Sequence, residues 1–162
     1  MTKKRAILKI LSLDARTTPA EIALQTGLTV EQVEQTIKEL ETEGVIRRYK
    51  TVIDWDRLEE GRVFAFIDVS LTPARDKGFD DIAERICRYP EVHSVYLVSG
   101  SQDLRCVVEG RSIREIGDFV AQKLSQIDRV TGTNTHFLLK RYKEDGDIFV
   151  DIETDSRLRV TP

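Results

Sequence analysis

The apolar rhythm of the chain changes at Gly44, and this change constrains the fold more than any other feature. Between Ala6 and Glu43 the apolar residues recur every three or four positions, the spacing of one helix face. Over Val63–Leu71 they fall on every second position, the spacing of one strand face, and strands then alternate with helices. A helical segment followed by a sheet-forming one is expected.

The helical segment is punctuated by residues with defined roles. Ile7, Leu8, Ile10 and Leu11 form the apolar side of a short first helix, which Asp14-Ala15-Arg16-Thr17 breaks. Thr18-Pro19-Ala20-Glu21 starts a second: Thr18 accepts from an orphan N–H, Pro19 loses no bond in the first turn, and Glu21 completes a capping box. Ile22, Ala23 and Leu24 precede Gly27, which can turn the chain through a left-handed conformation. Thr29-Val30-Glu31-Gln32 is a second capping box, and Val30, Val33, Ile37 and Leu40 continue one apolar stripe until Gly44. Two helices joined by a Gly-containing turn, behind a first helix, make the helix-turn-helix plan; a plain three-helix bundle is the alternative. Residues 45–53 then read as a short strand or wing, with Arg47, Arg48 and Lys50 beside Tyr49.

Beyond residue 62 strands and helices alternate. Val63, Ala65, Ile67, Val69 and Leu71 form the apolar face of a first strand. A helix over 78–89 carries Phe79, Ile82, Ala83 and Ile86, and a hairpin joins 92–98 to 104–109 through Ser99-Gly100-Ser101-Gln102-Asp103. Ser112 caps a helix with Ile113, Ile116, Val120, Leu124 and Ile127, and 131–141 makes the last strand. The fold class is therefore α+β, an N-terminal winged helix-turn-helix domain followed by a ferredoxin-like βαββαβ domain in which two helices cover one sheet face. The divisions expected are 1–54 for the helical domain, 55–61 for a linker, 62–142 for the sheet domain and 143–162 for a partly mobile acidic tail.

The other sheet face carries Phe64 and Phe66, whose burial contributes on the order of 3 to 6 kcal/mol per chain. A second subunit's sheet is expected against them, making the chain a homodimer at least; cover by the N-terminal domain or by the tail from Tyr142 is the alternative. Apolar residues make up 40% and charged residues 33%, the composition of a soluble globular protein. No apolar run approaches the roughly 20 residues that span a bilayer, so no membrane partner is expected and the protein is placed in the cytoplasm. Cys87 and Cys106 lie inside apolar patterns without metal-ligand spacing and read as small core residues; no metal, cofactor or catalytic residue is expected.

The helical domain ending in Glu43-Gly44-Val45-Ile46-Arg47-Arg48-Tyr49, followed by a sheet domain with Tyr89-Pro90-Glu91-Val92 and Val98-Ser99-Gly100-Ser101-Gln102-Asp103-Leu104, resembles the Lrp/AsnC family of transcription regulators over residues 1–142. The resemblance implies sequence-specific binding to double-stranded DNA, dimers that often assemble into octamers, and a small effector, commonly an amino acid. It places the effector between dimers, around Ser99, Gly100, Ser101, Gln102 and Asp103. A glycine there lets backbone approach a ligand and an acid can meet an ammonium group; an ordinary hairpin turn with a solvated Asp is the alternative. Thr133 and Thr135 on the last strand are further candidates.

For DNA, the outward residues of the third helix are Glu31, Gln32, Gln35, Thr36, Lys38 and Glu39, with Thr29 at its start. Gln32 and Gln35 can address adenine, and Thr36 a thymine methyl or a phosphate. Charge opposes this: residues 30–43 hold five acids against Lys38 alone, and the whole chain has a net charge of -3. Binding must then rest on Lys3, Lys4 and Arg5 and on Arg47, Arg48 and Lys50. Two rival readings use the same plan. One is an enzyme similar to siroheme decarboxylases, for which only His93 and His136 are available; the other is a small-molecule sensor that no longer binds DNA.

Overall fold

The computed structural model describes residues 2–58, 61–72 and 78–150. The chain divides into two compact units, Met1–Ile53 and Asp54–Pro162.

The first unit contains α1 (Lys3–Leu13), α2 (Pro19–Thr26) and α3 (Val30–Thr42). Both capping boxes form. Thr18 Oγ1 accepts from the Glu21 N–H while Glu21 Oε2 accepts from the Thr18 N–H, and Thr29 and Gln32 make the same exchange at 3.2 Å in each direction. Gly27 takes the left-handed conformation at φ 70° that ends α2. Ile7, Ile22, Ala23 and Val33 are buried together, with Ile10, Leu11, Leu28 and Ile37 packed against them. Val30 does not join this stripe and is exposed. It is the first residue of α3, and helical side chains lean toward the N-terminus, so it projects past the helix end.

Residues 45–53 do not form the expected strand. The Val45 and Ile46 N–H groups both donate to Leu40 O and close α3, after which the segment is irregular and mostly exposed. A strand needs a neighbour to supply ladder partners, and a unit of three helices has none.

In the second unit, a 3₁₀ turn at Trp55–Leu58 lies within the segment read as a linker, and the Arg62 guanidinium sits 4.0 Å from the centre of the Trp55 ring. There follow β1 (Val63–Leu71), α4 (Asp80–Ile86), β2 (Val92–Leu97), β3 (Leu104–Gly110), α5 (Ile113–Phe119) with a π-helical continuation at Val120–Leu124, and β4 (Val130–Phe137). The sheet order is β2-β3-β1-β4, with every neighbouring pair antiparallel. This is the ferredoxin-like arrangement expected. Ala65, Ile67, Val69 and Leu71 of β1 and Leu104, Cys106 and Val108 of β3 are buried with Ile82, Ile86, Ile116, Phe119, Leu124 and Ile127.

Three expectations need correction. β4 stops at Phe137 rather than at 141: Phe137 lies opposite Ala65, Leu138 adds one more bond to Phe64 O, and β1, which begins at Val63, has nothing to set opposite 140 and 141. Cys87, expected in the core, is exposed at the end of α4; only Cys106 is buried. Residues 143–148 are not simply a tail. They form a hairpin, β5 (Lys143–Glu144) with β6 (Asp147–Ile148), around Asp145 and Gly146, both at positive φ. The remaining tail residues, 151–162, lie outside the described residues.

Candidate effector site and DNA-binding surface

Strand pairing assigns each residue of the sheet to a face. Phe64, Phe66, Asp68 and Ser70 lie opposite Glu109, Val107 and Arg105 of β3 and opposite His136, Asn134 and Gly132 of β4, all on the face without helices. Tyr96 of β2 joins them opposite Arg105. Phe66 is 38% exposed and Tyr96 54%. Phe64 is half-buried: its ring meets His93 edge-on, and the Arg141 guanidinium stands 5.1 Å from its centre and 5.2 Å from that of Phe149. The segment after β4 thus screens one of the two rings and leaves the other open.

Asp68 is the one charged residue buried among those described, at 5% exposure. Arg105 donates to both of its oxygens, Nε to Oδ1 at 2.6 Å and Nη2 to Oδ2 at 2.9 Å, and His136 Nε2 lies 3.6 Å away. The Arg105 hydrogen bonds hold the Asp68 carboxyl below the usual aspartate range despite its burial. An acid thirty-seven residues from its base is invisible to sequence spacing.

This ion pair is the floor of an open cavity of about 530 Å³ whose other lining residues are Leu97, Val98, Ser99, Gly100, Ser101 and Gln102. Four of the five turn residues singled out from the sequence therefore line one cavity. At Gly100 the backbone has φ 146° and a Cβ built there would meet nothing within 4 Å, so the main chain itself faces open space. Gln102 Oε1 accepts from Ser70 Oγ at 2.5 Å. Asp103 is placed differently. Its Oδ2 accepts from the Leu71 N–H at 2.7 Å, its N–H donates to Val69 O, and its carbonyl accepts from the Val98 N–H, so it ties the hairpin to the end of β1. Thr133 and Thr135 pair with Val69 and Ile67 and so lie on the helix-covered face, away from Asp68 and Arg105; Asn134 and His136 occupy the corresponding positions on the open one.

On α3, Glu31, Gln32, Gln35, Lys38 and Glu39 are exposed, as is Thr29, and Thr36 is half-buried. Several already have partners. Gln32 Oε1 is held by its cap, Gln35 Nε2 donates to Glu39 Oε1 at 3.2 Å, and Thr36 Oγ1 donates to Gln32 O at 2.7 Å. The acids that made the segment unfavourable for DNA are partly neutralised. Lys4 donates to both oxygens of Glu43, at 2.8 and 3.1 Å, and lies 3.8 Å from Glu39. Its pKa is raised, chiefly by the hydrogen bond to Glu43. Tyr49 Oη donates to Glu41 at 2.8 Å. Lys4 is consequently occupied within the unit, while Arg47, Arg48 and Lys50 are exposed just beyond α3.

His93 contacts Glu109 at 2.5 Å. It also lines a second open cavity, of about 570 Å³, with Arg62, Pro90, Glu91, Glu109, Gly110, Arg111 and Glu115. Among the described residues, no group of three or more His, Cys, Asp or Glu stands where it could hold a metal ion. Likewise no helix is long and apolar enough to cross a membrane.

Comparison with known proteins follows both units. Residues 64–148 match the Lrp/AsnC ligand binding domain and residues 2–47 a winged helix-turn-helix DNA-binding domain. The HTH-type transcriptional regulator YugG of Bacillus subtilis (strain 168) is 46% identical over 162 residues, 99% of this chain and 97% of that one. A transcriptional regulator of Neisseria meningitidis, solved in complex with L-Met, superposes with a TM-score of 0.72 at 26% identity over 89% of this chain and 92% of that one. AsnC of E. coli does so with 0.69 at 25% identity over 88% and 93%. Matched in both domains and over nearly its whole length, the chain belongs to the Lrp/AsnC family of transcriptional regulators, with a helix-turn-helix DNA-binding domain and a ligand-binding domain.

Proposed function

We propose that this regulator binds its operator as a homodimer, or an octamer of such dimers, in the cytoplasm, and that an amino acid held beside Ser99–Gln102 sets the strength of that binding. One observation carries the reading: the cavity adjoins the sheet's open face, where Phe66, Tyr96 and Val107 offer apolar surface to a second copy. The bound L-Met of the Neisseria relative supports an amino acid as the class of effector.

Within the cavity Ser99, Gly100, Ser101 and Gln102 contact the effector, while Asp103 fixes the turn's shape. On DNA, the start of α3, with Thr29, Glu31, Gln32, Gln35, Thr36 and Lys38, faces base edges, and Arg47, Arg48 and Lys50 hold phosphates. The tie between Lys4 and Glu43 turns two unfavourable acids into part of the scaffold. Regulation rather than catalysis suits the histidines, since His93 is engaged by Glu109 and Phe64 and His136 stands beside Asp68.

The test is an electrophoretic titration of operator fragments selected from random DNA, with and without each amino acid. The proposal expects at least one amino acid to shift the midpoint, and Arg47→Ala/Arg48→Ala to weaken binding with a shallower salt dependence. No selected fragments, or selection that no amino acid alters, would overturn it.

A further inference from the structure

We propose that Arg105 selects the effector's side chain, so that the site takes an amino acid bearing a carboxylate or carboxamide and disfavours one with a branched aliphatic or thioether side chain. This rests on the reading of the Ser99–Gln102 cavity as the effector site. In that reading the α-carboxylate and ammonium common to every amino acid are held at Ser99–Gln102, and the side chain reaches the Arg105 guanidinium on the opposite lining. Of its five N–H groups, two are used on Asp68, and among the described residues no second acceptor engages the others. Because Asp68 is buried and grips the fork from one side, the opposite edge of the fork has a fixed direction. Arg105 lines the cavity with a side chain that is 49% exposed.

Two kinds of ligand then fare differently. A carboxylate or amide oxygen brought to the guanidinium replaces the water it displaces with a charge-assisted hydrogen bond, and the bonded Asp68–Arg105 pair is neutral as a unit, so an incoming anion meets no excess negative charge from it. A hydrocarbon side chain strips the same water and returns no bond, leaving donors of a charged group unsatisfied. The rest of the lining points the same way. Ser99 and Ser101 bring hydroxyls and Gln102 an amide, and Leu97 and Val98 are the aliphatic residues present.

The experiment is calorimetric titration of the full chain with aspartate, glutamate, asparagine, glutamine, leucine and methionine, with sedimentation of every variant run alongside. The expected result is that an acidic or amide amino acid binds in preference to leucine and methionine. Arg105→Leu should then weaken that binding by roughly tenfold or more while leaving leucine and methionine unchanged or improved. Arg105→Gln, which keeps a hydrogen-bonding side chain beside Asp68, should give the same loss if the Leu variant is poorly folded. Preference for leucine or methionine in the native chain, or unchanged affinity for the acidic and amide ligands in both variants, overturns the inference. If leucine or methionine binds and Ser101→Trp abolishes it, the cavity remains the effector site and only the role given to Arg105 falls. Absence of binding by all six removes both.

Discussion

The two faces of the four-stranded sheet are made by the same strands and differ in what they need. The covered face is complete within one chain: Ile67, Val69, Cys106 and Val108 are fully buried against α4 and α5. The open face mixes exposed rings at Phe66 and Tyr96 with an ion pair whose acid is buried and whose base is half exposed. One face therefore reports on folding and the other on what the folded chain meets, and substitutions should separate the two.

Ile67→Ala, on the covered face, has the largest expected effect. It should lower the free energy of unfolding by about 2 to 5 kcal/mol, read from the denaturation midpoint, with little change in association once refolded. Phe66→Ala, one residue away on the other face, should reverse that pattern. In the proposed homodimer its loss should weaken association by about 1.5 to 3 kcal/mol per chain, seen as dissociation on dilution in sedimentation, with the fold retained. Equal effects of the two would erase the distinction drawn between the faces.

Asp68→Asn should produce a smaller change with a characteristic pH dependence. The pKa of Asp68 is lowered in the folded state by Arg105. Its contribution to stability is thus fully present above the ordinary aspartate pKa and is lost as pH falls through the lowered folded value. The gap between native and Asp68→Asn chains should close in acid; a gap independent of pH would mean that the pair contributes by packing alone. The gentlest test is chemical. Burial pushes the Cys106 thiol up to about 12, whereas Cys87 is exposed, so a thiol reagent at neutral pH should label one cysteine per native chain and two after unfolding.

Much of the fold was legible because its signals are local. Both capping boxes, Gly27 and the alternation of β1 depend on residues within a few positions of one another, and all formed as expected. The strand expected over 45–53 failed because strand-forming residues do not supply a partner. The hairpin at 143–148 lies in a segment whose acidic composition reads as a tail, although Asp145-Gly146, two residues that tolerate positive φ between short flanks, is a readable turn signal. At the candidate site, the glycine and serines of the turn are legible in the sequence, but the phase of β4 is not: Thr133 and Thr135 lie on the covered face and Asn134 and His136 on the open one. Along β4 both alternate sets contain polar residues, so composition could not set the phase; pairing with β1 did. The Asp68–Arg105 floor needed the sheet itself to bring β1 and β3 together.

The cap at the start of α3 carries a consequence for how a sequence could be read. Gln32 Oε1 closes the Thr29 N–H, and it is also the atom that an adenine amino group would seek. Turning it outward leaves that N–H without an acceptor at the positive end of a helix, where a backbone phosphate is a natural replacement. Discrimination and grip would then switch on together, and a duplex lacking the right base would leave the helix's own clasp closed and gain neither.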